Sequence, residues 1–160
     1  MFLAGLLAAA HASAAVKPQR VASMNLTADE ILVAILPPER LVAVTRWADE
    51  RGSSNIIGRA PSSAFRFQKA DMERLVALAP DLVVVSEYTD ADVQEQIERS
   101  GMRTHRMDGL HSLAGIRAAI LALGEAVGEP EGARRLVLHY DAVRAELSRR
   151  LGLHLFRPAE

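Results

Sequence analysis

The stretch Arg20–Leu36, "RVASMNLTADEILVAIL", decides how this chain folds. Val21-Ala22-Ser23 reads as a short strand, and Ala28 to Leu36 reads as a helix that Pro37-Pro38 must stop. The junction carries its own start signal. Thr27-Ala28-Asp29-Glu30 has the form of a capping box, in which the Thr27 hydroxyl accepts from the Glu30 N–H and the Glu30 carboxylate returns to the Thr27 N–H. Leu26 and Ile31 are placed as the accompanying staple, and Asp29 falls in the first turn, where the helix dipole favours an acid. Structure alone therefore accounts for Thr27, Asp29 and Glu30, and what remains is Ser23-Met24-Asn25, held at the carboxyl end of a strand just before a helix.

Working outward, the same alternation recurs. Strands are expected at Leu41 to Thr45, Leu82 to Ser86 and Thr104 to Met107, and helices at Met72 to Ala79, Asp90 to Ser100 and Leu113 to Val127. Pro80-Asp81 and Gly101 punctuate the helix ends. "LVVVS" is apolar on both faces, as a buried parallel strand requires. The order implies an α/β fold: a three-layer, Rossmann-like lobe with a mainly parallel sheet of about four to five strands. After Pro130, Ala133, Leu136, Val137, Tyr140, Val143, Leu147 and Leu151 fall on one helical stripe, so a long C-terminal helix of roughly 30 Å is expected. Between Arg46 and Ala64 lies a polar segment long enough to suggest a functional loop.

Bulk properties narrow the function. With 160 residues the chain suits one α/β domain, and 19 basic against 20 acidic residues give a net charge of −1, which offers no electrostatic case for nucleic acid. Cysteine is absent, which removes disulfides and thiolate chemistry. Residues 1–15, "MFLAGLLAAAHASAA", combine an uncharged apolar run with the small-residue pattern Ala12-Ser13-Ala14, the outline of an export signal. A disulfide-free exported protein suits a bacterial periplasm.

Strand ends in a parallel sheet share one rim, and this rim collects Asn25, Arg46, Trp47, Glu87, Tyr88 and Asp108, a joint placement that indicates a ligand cleft. Chemistry for an enzyme is missing: there is no Gly-x-Ser-x-Gly elbow and no glycine-rich phosphate loop. His105 and His111, which flank Asp108, could be offered as metal ligands, and a small metal-dependent enzyme using the three residues is the alternative, but the two histidines lack an identified third ligand for a shared ion, and His111 is better read as a cleft-lining donor.

"RVASMNLTADEILVAILPPERLVAVTRWAD", followed by "DMERLVALAPDLVVVSEY" and "LALGEAVGEPEGARRLV", resembles the substrate-binding proteins of bacterial ABC importers for cobalamin and ferric siderophores, whose two lobes are joined by one rigid helix. The resemblance implies a periplasmic, non-enzymatic solute-binding component with aromatic ligand contacts at Trp47 and Phe67, rim contacts at Ser86, Glu87 and Tyr88, and Glu73 docking onto the inner-membrane permease. Arg46, Arg66, Asn25 and Glu87 would orient polar edges of the ligand, with Asp108 and His111 as further ligand-binding residues of the cleft. No cofactor is implied, since any iron or cobalt arrives inside the chelate. Arg46 and Arg66 suit a siderophore's carboxylates or hydroxamates, Trp47 and Phe67 a corrinoid ring, and the sequence leaves that choice open. The implied division is signal 1–15, N-terminal ligand-binding lobe 16–129, interlobe helix 130–151 and a short tail 152–160 where a second lobe is expected and absent. The expected product is thus a truncated binding protein, with an inert fragment or the metal-dependent enzyme as alternatives.

Overall fold

The computed structural model describes residues 16–152, so the expected export signal at 1–15 and nearly all of the tail lie outside the described residues. The chain runs β1 (Val21–Ser23), α1 (Leu26–Ile35), a 3-10 turn (Pro38–Arg40), β2 (Leu41–Thr45), a second 3-10 turn (Arg46–Asp49), β3 (Phe65–Phe67), α2 (Met72–Leu78), β4 (Leu82–Ser86), α3 (Ala91–Arg99), β5 (Thr104–Met107), α4 (Leu113–Val127) and α5 (Pro130–Leu151). All strand pairs are parallel, in the order β3-β2-β1-β4-β5. The central strand β1 thus has β2 on one side and β4 on the other, and the chain reverses direction across the sheet between them. That reversal is where open parallel sheets leave a crevice at their carboxyl edge.

Two apolar layers cover the sheet. Val21, Leu82, Val84 and Met107 face Leu32 of α1, Leu123 and Val127 of α4 and Val137 of α5. Ala22, Val83 and Val85 face Leu75 of α2 and Ile97 of α3. In β2 the alternation breaks: Leu41 and Val44 belong to the first layer, and Val42 and Ala43 to the second. The register supplies the reason, because Val21 pairs with Leu41 while Ala22 pairs with Ala43, a bulge that inserts one residue and shifts the pleat. Thr45, at the end of β2, bonds Asp29 of α1 through its N–H and hydroxyl.

The helix start differs from the capping box expected at Thr27. Asn25 is the N-cap of α1, its side chain accepting from the Ala28 N–H at 3.1 Å. Asn25 prevails because its amide also donates across the sheet to Ser86 Oγ at 3.0 Å, a bond Thr27 is too far along the helix to make. With the cap two residues earlier, Glu30 is released and instead accepts from the Asn55 N–H and Nδ2, pinning the polar segment that follows β2. Asp29 turns inward and is fully buried.

A buried arginine locks the opposite edge. Arg40 donates to the carbonyls of Pro18 and Val127 and pairs with Glu129 at 2.6 Å, tying the entry to β1 to the α4–α5 corner. At that corner a Cβ on Gly124 would stand 2.2 Å from the Ala133 Cβ, so the close approach of α4 and α5 depends on glycine. Along α5 the burial fades: Ala133 and Val137 are buried, whereas Val143, Leu147 and Leu151 are exposed.

Candidate ligand-binding cleft

The carboxyl edge of the sheet opens into a cleft of about 490 Å³, floored by the ends of β1, β2 and β3 and walled by the loops after β3 and β4. Asn25 and Ser86 clamp the tips of β1 and β4 through their 3.0 Å bond, and Ser86 Oγ also accepts from the Tyr88 N–H at 3.2 Å. Ser86 is itself fully buried, so it shapes the loop that carries Tyr88. Tyr88 projects with 66% of its surface exposed, and Trp47 with 39%. Large apolar rings held open to solvent at the rim of a concavity are the usual means of gripping a flat or bulky guest.

Trp47 owes its place to two contacts. The 3-10 turn after β2 begins at Thr45, whose N–H and hydroxyl both donate to Asp29 Oδ2, at 3.1 and 2.5 Å. The Arg46 guanidinium carbon lies 3.9 Å from the indole centroid, a cation–π contact. Beneath these, Asp29 Oδ1 is buried with no hydrogen-bond partner, and burial raises the Asp29 carboxyl to about 7, against the lowering effect of its bonds to Ser23 and Thr45.

Of the residues singled out in the sequence, Asn25, Trp47, Phe67 and Tyr88 line the cleft together. Phe67 presents little surface, being 4% exposed and packed edge-on against Phe65 at 5.1 Å. Arg46 joins them through its stack on Trp47. The others stand apart from the lining. Arg66 is held by Asp49 at 2.8 Å and by the carbonyls of Pro61 and Ala64. Glu87 accepts from the Leu110 N–H at 2.8 Å, with His111 Nδ1 3.8 Å away. Asp108 pairs with Arg106 at 2.8 Å. His105 lies within β5, where burial first and Arg103 second hold its imidazole below the ordinary range. Among the described residues, no group of three or more His, Cys, Asp or Glu side chains is placed to hold a metal ion, so His105, Asp108 and His111 do not form a shared site. Glu73 stands exposed in the first turn of α2, away from the cleft.

Sequence reasoning missed Thr45, Gln68, Lys69 and Asp90, which also line the cleft. Gln68 and Lys69 were hidden because the strand that delivers them, β3, is only three residues long. Asp90 was visible only as a helix start, and it does cap α3, accepting from the N–H groups of Asp92 and Val93.

Residues 21–151 match the family model described as periplasmic binding protein. The chain belongs to that family. Among solved structures, a periplasmic heme binding protein from Pseudomonas aeruginosa aligns with a TM-score of 0.66 at 25% identity, over 84% of this chain and 46% of that one. The periplasmic heme-binding protein RhuT from Roseiflexus sp. RS-1 aligns at 0.68 and 24% identity, over 88% and 52%. The periplasmic vitamin B12 binding protein BtuF of Vibrio cholerae aligns at 0.64 and 19% identity, over 83% and 51%. The chain therefore spans about half the length of these periplasmic binding proteins. Among curated proteins none matches.

Proposed function

We propose that this chain supplies one wall of the ligand cleft in a periplasmic solute-binding component of an ABC importer, and that the ligand is a metal-chelate nutrient: a ferric siderophore, a corrinoid or heme. Residues 16–129 act as the ligand-binding lobe and 130–151 as the helix between lobes. The observation that carries this reading is the convergence of Trp47, Tyr88 and Phe67 on one cleft at the reversal point of a parallel sheet, in a family of binding proteins. The chelate lies against the rings, Asn25 and Thr45 meet its polar edge, and it leaves chemically unchanged. Glu73, exposed on α2, is the contact for the permease.

A single wall buries one face of a guest, so the affinity expected is modest, on the order of micromolar. Absorbance titration with hemin, a ferric hydroxamate siderophore and cyanocobalamin tests the assignment. At least one should bind saturably, and Trp47→Ala and Tyr88→Ala should each weaken it by about tenfold. Binding that survives both substitutions unchanged would place the site elsewhere, and zinc-dependent hydrolysis lost in His111→Ala would replace the assignment with the enzyme.

A further inference from the structure

We infer that the cleft selects an anionic, carboxylate-bearing chelate over a neutral one, through Lys69 and Arg46. The inference rests on the function proposed above and concerns which class of chelate the cleft takes. Its basis is the balance of charge around the cleft. Lys69 lines the cleft and is exposed, and among the described residues it has no hydrogen bond or ion pair. Arg46 is likewise exposed, and its one contact is the face of Trp47. Neither cation meets a carboxylate of the protein.

The acid that lines the cleft is committed, as are several around it. Asp90 lines the cleft, but its Oδ1 accepts from the Asp92 N–H at 2.8 Å and the Val93 N–H at 3.4 Å, where the amino end of α3 offsets its charge. Glu87 is turned to Leu110 and His111, Asp49 to Arg66, and Glu30 to Asn55. Arg66, the other arginine expected to orient the ligand, is spent on Asp49 and backbone carbonyls. Among the residues lining the cleft, the charge without a protein partner is therefore that of Lys69.

The two cations also differ in kind. In contact with Trp47 and with no hydrogen bond to the protein among the described residues, the Arg46 guanidinium keeps N–H donors available for a carboxylate. Lys69 follows β3 by two residues and offers a mobile point charge from the neighbouring loop. A flat ring lying on Trp47 and Tyr88 with carboxylates on its perimeter would meet both. A neutral macrocycle would use the rings and leave the two charges unanswered.

Hemin and its dimethyl ester have the same ring and iron and differ in whether the two propionate groups are free, which makes them the discriminating pair. The protein should bind hemin at least about tenfold more tightly than the ester at low salt, and the gap should shrink as ionic strength rises. Lys69→Gln should weaken hemin by about three- to tenfold while leaving the ester within twofold, and Arg46→Gln, which also removes the contact on Trp47, should weaken hemin by more than it weakens the ester. Both positions are exposed, and matching circular dichroism and thermal unfolding would show that the variants are folded. Equal affinity for the two porphyrins, or a gap that persists in the double variant, overturns the charge selection and leaves the proposed function standing. Failure of every chelate to bind, cyanocobalamin and the siderophore included, removes the proposed function and this inference together.

Discussion

Replacing Asp29 by asparagine removes the one carboxylate buried among the described residues while preserving its shape. Asp29 is fully buried, bonds Thr45 through Oδ2 at 2.5 and 3.1 Å, and leaves Oδ1 without a partner. Burial dominates, so the folded-state value stands at about 7 against 3.8 for a free side chain. Because this is a raised acid, the folded protein holds a proton that the unfolded chain has already released. The stabilising effect of that proton is complete only below about 3.8 and is lost as pH rises to about 7. With one pKa unit equivalent to about 1.4 kcal/mol, wild-type stability should lose roughly 3 kcal/mol from this group between about pH 5 and about pH 8. Charged groups on the surrounding elements add little: Glu30 is the charged neighbour that contributes, β1 and β2 present the Ser23 and Thr45 hydroxyls, and in the 3-10 turn after β2 Arg46 stacks on Trp47 while Asp49 pairs with Arg66. Asparagine cannot titrate. It keeps an acceptor for Thr45 and carries a constant offset of about 1–3 kcal/mol for its buried NH2 group. Urea unfolding of both proteins at several pH values isolates the group, since every other titration cancels in the difference. The variant should gain on wild type by roughly 3 kcal/mol from about pH 5 to about pH 8. A difference that stays flat across that range would show that Asp29 is ionised and solvated in the folded protein, and would refute the reasoning.

Two further outcomes follow from the geometry. Arg40→Ala strips the donors from the Pro18 and Val127 carbonyls and one partner from Glu129, and should cost about 3 kcal/mol in denaturant unfolding; a loss under about 0.5 kcal/mol would mean the arginine is dispensable. Glu73→Ala should leave chelate affinity unchanged and weaken co-purification with the permease, and equal permease capture by both proteins would take Glu73 out of the docking surface.

Most of the sheet could be read from the sequence because its strands carry β-branched runs between clear stops. Val21–Ser23, Leu41–Thr45, Leu82–Ser86 and Thr104–Met107 stand where the residues placed them, and the α/β class with a parallel sheet and a long final helix follows from their alternation with helices. Phe65–Phe67 did not announce itself. It is three residues long, pairs on one side only, and ends a polar segment whose Gly52, Ser53, Ser54 and Gly58 suggest loop. Missing that strand concealed Gln68 and Lys69, the residues it aims at the cleft.

The start of α1 shows a different kind of limit. Asn25 and Thr27 are both good caps by local preference, and the choice between them is made by Ser86, far away in sequence and adjacent in space. Asp29 was read as an ordinary first-turn acid for the same reason. Its buried carboxylate is met by the Thr45 N–H and hydroxyl from β2, a contact no local pattern encodes. The rim residues fared likewise: strand ends could be located, but whether Arg46 or Arg66 stays uncommitted was decided by Asp49.

The most direct test of the cleft is the emission of Trp47, the chain's single tryptophan and one of the rings said to touch the ligand. Titration with the chelate that binds most tightly should quench that emission saturably, with a midpoint matching the one from equilibrium dialysis. Dialysis that shows binding while Trp47 emission stays unchanged would contradict the account, because the guest would then be held somewhere other than the carboxyl edge of the sheet.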